Sequence, residues 1–377
     1  MIFRWSATSP SVANSELELA QKIRRAKNMH AFCSAFGYSH EEHKVTTDDG
    51  YILTLYRLLP RDASDSCTAK GRPVVYFQHG LLTNSELFMS VTAPEKCLPI
   101  VLLEDGYDVW LGNNRGNKYS REHTTKSCDS TDFWDYSIDD FVRYDIPNSI
   151  SFIIEHTGVS KISYVGFSQG SAQGFGALSV NPILNEQLDI LIGLAPIMRP
   201  AGYPSPILDS LVKKNPNIVY NFFGRKAMCS WVAFLQANLP LSLVTHIVDI
   251  GMKLLLAYNN HNFSHLQKRA SYSHIYCSCS VKTIVHWGQI MRNTVFSKFQ
   301  DHPSAEVVRY PTENIKVPVV LLHGDQDCLF VKDVVLEHLP ADVTCHVLEN
   351  YEHLDVLWGE KVHIDVIPVV QDILNSR

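Results

Sequence analysis

Three short runs of apolar residues give the chain its most regular pattern. Each is rich in valine, leucine, isoleucine or aromatic residues and reaches a glycine at its end: "PVVYFQHG" (Pro73–Gly80), "KISYVGFSQG" (Lys161–Gly170) and "VPVVLLHGDQD" (Val317–Asp327). Such runs are typical of strands that are buried on both faces of a parallel sheet. Between the first two runs, apolar residues recur at helical spacing from Phe141 to Ile154, and Asp145 with Pro147 is predicted to cap and restart that helix. The order strand, helix, strand predicts an α/β fold.

The strand pattern stops near Pro196 and returns at Val317. The residues between are rich in aromatic and helix-forming positions, and the apolar stretch Trp231–Tyr258 is interrupted by polar residues and by Pro240. This stretch therefore predicts amphipathic helices joined at a proline, and not a membrane span. We predict a helical cap inserted into an α/β core. The predicted units are an N-terminal helical segment (1–40), the first part of the core (41–195), a helical cap or lid (196–312) and the second part of the core (313–377).

The second apolar run carries a serine between two glycines. Ser168 lies in "GFSQG", after a predicted strand from Lys161 to Val165 and before a predicted helix from Ser171 to Leu178. A turn of this kind raises the serine hydroxyl above the sheet edge, at a helix N-terminus where partial positive charge stabilises a developing anion. The spacing alone should occur by chance in on the order of one such chain in ten. Its position between a buried strand and a helix favours a nucleophile over a small residue in a tight turn.

A serine nucleophile needs a general base that a carboxylate orients. In this architecture the acid and then the histidine follow the serine along the chain. Asp327 ends the third apolar run, and His353 follows the next predicted strand through the loop "ENYE". We predict Asp327 as the acid, with Asp325 as the alternative, and His353 as the base. The alternative for His353 is an ordinary histidine of a surface loop.

Two turns complete the predicted site. An oxyanion hole needs two backbone N–H donors, and we predict these donors to be Gln169, directly after the serine, and Leu81, in the turn "QHGLL". His79 in that turn is predicted to shape it rather than to act as a base. Arg115, in the turn "GNNRGN", is predicted to be a structural hydrogen-bond hub rather than a phosphate ligand.

Composition excludes several classes of protein. The 377 residues are 45% hydrophobic, enough for a large core, and the net charge of −6 gives no basic footprint for nucleic acid. The nine cysteines have no regular spacing, which argues against a disulfide scaffold and a structural zinc site. No dinucleotide fingerprint, phosphate-binding loop or HExxH motif occurs, so we predict no cofactor and no metal.

The chain resembles the acid lipase family of α/β-hydrolases, which includes gastric and lysosomal acid lipases and fungal steryl ester hydrolases. The resemblance extends from about Ala26 to Gly359. It is carried by "FGYSHEEHKVTTDDGYIL", "QHGLLTNSELF", "GYDVWLGNNRGNKYSREH", "FWDYSIDDFVRYDIPNSISFII", "GFSQGSAQ", "SVKTIVHWGQIMRNTVFSKF" and "YEHLDVLWG". "GFSQGSAQ" and "FWDYSIDDF" are most similar to the fungal steryl esterase branch.

The resemblance implies an α/β-hydrolase fold, a mostly parallel sheet with an inserted cap. It implies hydrolysis of apolar lipid esters, steryl esters or triacylglycerols or both, through an acyl-enzyme. It implies that Ser168, Asp327 and His353 form the triad and that Leu81 and Gln169 are the oxyanion donors. The residues alone had already indicated these positions. The alternatives are an esterase or thioesterase for smaller soluble esters and, less favoured by the intact triad, a lipid-binding pseudoenzyme.

The first twenty residues show neither a signal peptide nor the membrane-anchoring segment that fungal relatives usually carry upstream. We therefore expect an intracellular protein that works at a lipid droplet or membrane surface. Its expected partner is an apolar ester at a lipid interface, and its oligomeric state is not predicted.

Overall fold

The structure is a computed structural model that describes residues 10–61, 71–202, 205–215, 217–229, 232, 239–259, 261–340 and 343–377. The strands are β1 (Ser39–Thr46), β2 (Tyr51–Leu59), β3 (Val74–Gln78), β4 (Asp108–Leu111), β5 (Glu122–His123), β6 (Ile162–Phe167), β7 (Leu188–Leu194), β8 (Ala227–Met228), β9 (Cys279–Ser280), β10 (Val319–Gly324) and β11 (Val343–Leu348).

Nine of these strands form one twisted sheet in the order β1-β2-β4-β3-β6-β7-β10-β11, with β5 paired to β2. The six strands from β4 to β11 along this order are parallel to one another, whereas β2 is antiparallel to both of its neighbours in the order. The three apolar runs of the sequence are the neighbouring or near-neighbouring strands β3, β6 and β10. The α/β fold with a mostly parallel sheet is therefore confirmed.

The parallel strands are buried on both faces, as their continuous apolar sequences require. Along β3, Val75 and Phe77 join one hydrophobic cluster, and Val74 and Tyr76 join the cluster on the opposite face. Successive strand residues point to opposite sides of a sheet, so both sides must be covered by other elements. Because these strands are parallel, their carboxyl ends lie along one edge of the sheet. At this edge β6 and β10 meet their following loops.

Helices supply this cover. They are α1 (Pro10–Arg25), α2 (Met29–Phe36), α3 (Leu98–Glu104), α4 (Ile138–Asp140), α5 (Ile146–Thr157), α6 (Gln169–Val180), α7 (Pro182–Gln187), α8 (Pro206–Lys214), α9 (Ile218–Phe223), α10 (Leu241–Leu256), α11 (His265–Ser271), α12 (Val281–Asn293), α13 (Lys332–His338), α14 (Asp355–Trp358), α15 (Val362–Asp365) and α16 (Ile367–Asn375). Short 3₁₀ turns lie at Ser85–Met89, Pro94–Lys96, Asp132–Trp134 and Thr312–Asn314.

The chain between β7 and β10 differs from the rest. It contains α8 to α12 and the small antiparallel pair β8–β9, and in its described part no strand joins the main sheet. The predicted cap falls on these residues, and its boundaries remain a prediction. Of the apolar stretch Trp231–Tyr258, residues 231 and 233–238 lie outside the described residues, and α10 begins directly after Pro240.

The predicted helix cap at Asp145 is wrong. A π-helical turn, Phe141–Asp145, links α4 directly to α5, and Asp145 has helical dihedral angles with no capping bond. The helix is capped earlier, at Ser137, which accepts from the Asp139 N–H while its own N–H donates to Asp140 at 2.7 Å. Ser-x-x-Asp fills the role of the capping box here. The side chain of Asp145 is instead used in a buried ion pair, described below.

In the described part of the chain, none of the helices is both long enough and apolar enough to cross a bilayer. The eight cysteines within the described ranges are all free thiols, in agreement with their irregular spacing.

Candidate active site

Ser168 sits at the sharp turn between β6 and α6. Its φ of 54° and ψ of −120° lie in a region that non-glycine residues rarely adopt, as expected for a serine held at a strained strand-to-helix turn. The flanking glycines make the turn possible. A Cβ on Gly166 would lie 2.7 Å from the Ser171 nitrogen, and one on Gly170 would lie 2.2 Å from the Gln78 carbonyl oxygen. The turn therefore tolerates no side chain at either position.

Three predicted residues from distant parts of the chain meet at this turn. Nε2 of His353 lies 2.8 Å from the Ser168 hydroxyl, and Nδ1 lies 2.8 Å from Oδ2 of Asp327. All three residues are buried, with 5 to 6% of their surface exposed. Oδ1 of Asp327 accepts from the Leu329 N–H at 2.9 Å, so both carboxylate oxygens have partners. The alternative acid, Asp325, does not take this position, because its Oδ1 accepts from the backbone N–H of Asn350.

The two predicted oxyanion donors adjoin the serine. Leu81 and Gln169 line the same cavity as Ser168, and a Cβ on Gly80 would come within 3.1 Å of the Ser168 Cβ. Within the described ranges, no acceptor contacts the backbone N–H of Leu81 or of Gln169. The first N–H groups of a helix have no intrahelical partner, which explains why Gln169, the first residue of α6, keeps a free donor beside Ser168.

Sequence reasoning missed how Gln169 is held. Its side-chain oxygen accepts from the indole Nε1 of Trp287 at 2.7 Å. Trp287 belongs to α12 and lines the same cavity. Nothing in the local sequence of either residue indicates this contact, since 118 positions separate them.

His79 holds the turn that carries Leu81 against a neighbouring loop. Its Nδ1 lies 2.8 Å from the Gly80 carbonyl, and its Nε2 accepts from the Asn114 backbone N–H and the Asn117 side chain, each at 3.1 Å. The carbonyl requires a proton on Nδ1, which leaves Nε2 as the acceptor. Burial lowers the pKa of His79 to about 4. Its imidazole is therefore neutral, and both ring nitrogens are bonded to groups other than Ser168.

Arg115 is the predicted hydrogen-bond hub. Its guanidinium donates to Asp145 at 2.7 Å and to both oxygens of Asp49 at 2.6 and 2.9 Å, and it lies 4.0 Å from the ring centre of Tyr51. Burial raises the pKa of Asp145 to about 6 even though the charge and hydrogen bonds of Arg115 oppose this shift. These contacts fix the loop that His79 also holds.

The loop of His353 is anchored by residues that the sequence did not single out. Asp355, which is fully buried, accepts from the Tyr258 hydroxyl, from Asn262 Nδ2 at 2.7 Å and from the Glu352 N–H at 2.6 Å. Glu352 in turn accepts from the Asn259 N–H at 2.8 Å. The segment that follows α10 is thereby bonded to the loop that carries the histidine.

A cavity of about 430 Å³ opens from the serine. Apart from Ser168 and His353, its walls are formed mainly by apolar side chains from the core and from the helices between β7 and β10. These include Phe167, Ile197, Val212, Val219, Phe223, Met228, Ile275, Trp287, Met291 and Leu354. An apolar wall with a few polar groups at one end suits a hydrophobic ligand that carries a single reactive polar group.

One group of side chains away from the cavity has metal-ligating atoms close together. Ligand atoms of Glu41, His43 and His156 lie within 4.8 Å of one another. The guanidinium of Arg57 already contacts the Glu41 carboxylate at 3.3 Å. The charge of Glu41 is thus compensated by a side chain, without a metal ion.

Fold and site together define a serine hydrolase architecture, and comparison with known proteins agrees. The model of the α/β-hydrolase fold family matches residues 73–360, and that of the partial α/β-hydrolase lipase region matches residues 29–92. The chain belongs to the α/β-hydrolase fold family and, within it, to the lipases.

The lipase assignment is supported by close relatives. A probable lipase of Schizosaccharomyces pombe is 42% identical, over 95% of this chain and 82% of the relative. The human lysosomal acid lipase/cholesteryl ester hydrolase is 32% identical, over 88% of this chain and 86% of the relative. Among solved structures, a carboxylesterase of Bacillus subtilis aligns with a TM-score of 0.53 at 15% identity, covering 97% of this chain and 99% of that one, which supports the fold alone. The resemblance found in the sequence is confirmed.

Proposed function

We propose that this lipase hydrolyses long-chain esters of apolar lipids, steryl esters or triacylglycerols, with Ser168, His353 and Asp327 as its catalytic triad. The observation that carries the proposal is the unbroken chain of hydrogen bonds from the Ser168 hydroxyl through His353 to Asp327 at the end of an apolar cavity.

The mechanism follows from the geometry. His353 accepts the Ser168 proton at Nε2 as Oγ attacks the ester carbonyl, and the N–H groups of Leu81 and Gln169 stabilise the tetrahedral oxyanion. Loss of one such donor typically lowers the rate by about 10²–10³-fold. Asp327 holds the proton on Nδ1 and stabilises the imidazolium, which then protonates the leaving alcohol. Water, activated by His353, attacks the acyl-serine and releases the fatty acid.

The cavity supports a long apolar acyl chain or a sterol rather than a small polar ester. Its volume of about 430 Å³ lies in the range of a site for a drug-sized molecule. Its walls offer few polar groups to a short hydrophilic ester. The name of the human relative includes cholesteryl esters, which agrees with this chemistry.

Exposed apolar side chains near the cavity support work at a lipid interface. Phe222 and Phe223 of α9 are 70% and 52% exposed, and Phe223 also lines the cavity. On α10, four exposed residues recur at helical spacing: Leu243, Ile247, Ile250 and Leu254. Exposed apolar residues grouped on a helix in this way mark an interaction site, and we propose that both helices contact the lipid phase that holds the substrate.

Two experiments test the proposed nucleophile and the proposed substrate separately. A fluorophosphonate probe should label the wild-type protein and fail to label Ser168→Ala; equal labelling of both would disprove the assignment of the serine. Purified wild-type protein should also hydrolyse emulsified cholesteryl oleate or triolein faster than a dispersed short-chain ester. Preference for the short ester would refute the lipid substrate and leave the triad intact.

A further inference from the structure

Three arginines line one small cavity on the surface between α1 and α11. Arg24 and Arg25 come from the last turn of α1, and Arg269 comes from α11. The cavity measures about 150 Å³, roughly a third of the active-site cavity, and it also exposes Leu17 and Leu266. Guanidinium groups and leucine side chains therefore share one recess.

Among the described residues, these arginines have no acidic partner. Within the described ranges, no carboxylate lies within 4.0 Å of the guanidinium groups of Arg24, Arg25 or Arg269. Arg57 and Arg115, by contrast, are each bonded to two carboxylates. Both helices end near the cluster, and each helix C-terminus contributes about half a negative charge. Three full positive charges exceed these two half charges by about two.

This local excess of positive charge is unusual for a chain that carries a net charge of −6. The stretch "KIRRAK" (22–27) holds four cations in six residues, and its Lys22 is also exposed. A local cluster of this density on an acidic protein is the electrostatic footprint of an anionic partner.

The position of the cluster points to a lipid surface. α11 packs between α1 and α10, where Lys268 bonds to Asp249 of α10 at 3.2 Å. α10 carries the exposed apolar residues that the proposed function assigns to the lipid phase. A guanidinium binds phosphate oxygens through paired hydrogen bonds, and the neighbouring leucines suit the glycerol and upper acyl region of a phospholipid.

We propose that Arg24, Arg25 and Arg269 form a binding site for the phosphate headgroup of anionic phospholipids, which docks the enzyme on a membrane surface. This proposal deepens the proposed function and rests on it for the reason the enzyme visits lipid. The site is separate from the triad, and it recognises the surface on which the enzyme works rather than the ester that it cleaves.

The test measures vesicle binding in the Ser168→Ala background, so that hydrolysis does not affect the result. Sucrose-loaded vesicles of phosphatidylcholine, with or without phosphatidylserine, are sedimented with the protein at several salt concentrations. The parent should bind vesicles with phosphatidylserine more tightly than neutral vesicles, and added salt should weaken that binding. One basic residue near an anionic membrane surface contributes about fivefold in affinity, so replacement of all three arginines by glutamine should weaken binding about 100-fold.

A matched control changes the same net charge elsewhere. Lys161, Lys298 and Lys316 are exposed and make no ion pair within the described ranges, and their joint replacement by glutamine should leave vesicle binding nearly unchanged. If the triple arginine variant does not fold by circular dichroism, Arg269→Gln alone should weaken binding about fivefold.

Three results would overturn the proposal. One is equal binding of the parent to both vesicle types, and another is an equal loss in the lysine control. The third is an arginine-dependent rise in melting temperature with inorganic phosphate but no binding to vesicles, which would identify a site for a soluble anion. All three results come from measurements of binding or melting temperature that involve no ester hydrolysis. They therefore do not depend on whether Ser168 is the nucleophile.

Discussion

At the residue scale, the proposed triad depends on which carboxylate orients His353. Asp327 and Asp325 are two positions apart after the same strand, yet only Asp327 contacts the imidazole. The difference arises from the turn, since the chain reverses between Gly324 and Asp327 and the two side chains leave it in different directions. A pair of neighbouring aspartates with such different partners offers an internal control.

We predict that Asp327→Asn lowers kcat on a soluble ester by about 10³–10⁴-fold, because an amide cannot stabilise the imidazolium and favours the wrong tautomer. Asp325→Asn should leave kcat nearly unchanged, because its remaining oxygen can still accept from the Asn350 N–H. Steady-state kinetics of the two variants, with melting temperatures as a check on folding, tests both. An equal loss in the two variants would contradict the assignment.

His79 makes stability depend on pH. Burial lowers its pKa to about 4, whereas an unfolded histidine titrates near 6.5. As the pH falls, the unfolded state therefore binds the proton first. The contribution of His79 to the free energy of unfolding is fully present above about pH 6.5 and is lost as the pH falls toward 4. The difference of 2.5 units corresponds to about 3 kcal/mol.

Glutamine at position 79 can still accept a hydrogen bond but does not titrate. We predict that the free energy of unfolding falls by about 3 kcal/mol less in His79→Gln than in wild type over that pH range. Urea denaturation at a series of pH values measures the two slopes. Parallel pH profiles of wild type and variant would show that His79 does not carry this dependence.

At the element scale, the helix from Ile138 to Thr157 contains a π-helical turn whose last residue, Asp145, forms a buried ion pair. Its π-helical turn ends at Asp145, whose carboxylate reaches Arg115 on the loop after β4. Each π turn inserts one residue into the helix and rotates the side chains that follow, and such turns often lie at functional positions. The turn thereby directs Asp145 inward without interrupting the helix.

We predict that Arg115→Met lowers the free energy of unfolding by about 3–5 kcal/mol, because it leaves the buried Asp145 without its counter-ion. The loss should shrink as the pH falls toward about 6, because removal of Arg115 raises the pKa of Asp145 further and a protonated carboxyl needs no counter-ion. Arg309→Met is the control, since the exposed pair of Arg309 with Glu313 contributes less than about 1 kcal/mol. Equal losses in the two variants, measured by denaturant unfolding, would refute this role for Arg115.

The elements also show what the sequence could predict. The strands β3, β6 and β10 were predictable because complete burial leaves a continuous apolar run. The helix α6 begins at Gln169, two residues before the predicted start, because the strained serine itself ends the strand. The position of Asp145 was not predictable, since its carboxylate bonds to an arginine 30 residues earlier in the chain.

The candidate site also has parts that the sequence could predict and parts that it could not. Ser168, Asp327 and His353 were predictable because the order of motifs and the ends of parallel strands place them at one sheet edge. The supports of the site were not predictable. Trp287 beside Gln169 and Tyr258 beside Asp355 are contacts between distant segments, and neither carries a local motif.

At the scale of the whole molecule, the loop of His353 and the chain after α10 form one bonded unit. Tyr258 and Asn262 donate to Asp355, and Asn259 donates to Glu352, so the loop is held on both sides of the histidine. Burial raises the pKa of Asp355, while these hydrogen bonds oppose that shift. Because α10 also bears exposed apolar residues, movement of α10 at a lipid interface would act directly on the loop that carries His353, the proposed base.

We predict that Tyr258→Phe lowers kcat and the rate of fluorophosphonate labelling, with little change in KM for a soluble ester, because His353 loses positional restraint while the cavity keeps its walls. Loss of one bond to a buried carboxylate should also cost about 1–3 kcal/mol of stability. Tyr107→Phe is the matched control, since its hydroxyl bonds to Asn375 far from the loop. A labelling rate that falls no further in Tyr258→Phe than in Tyr107→Phe, at equal fractions folded, would show that the network stabilises the fold without positioning the histidine.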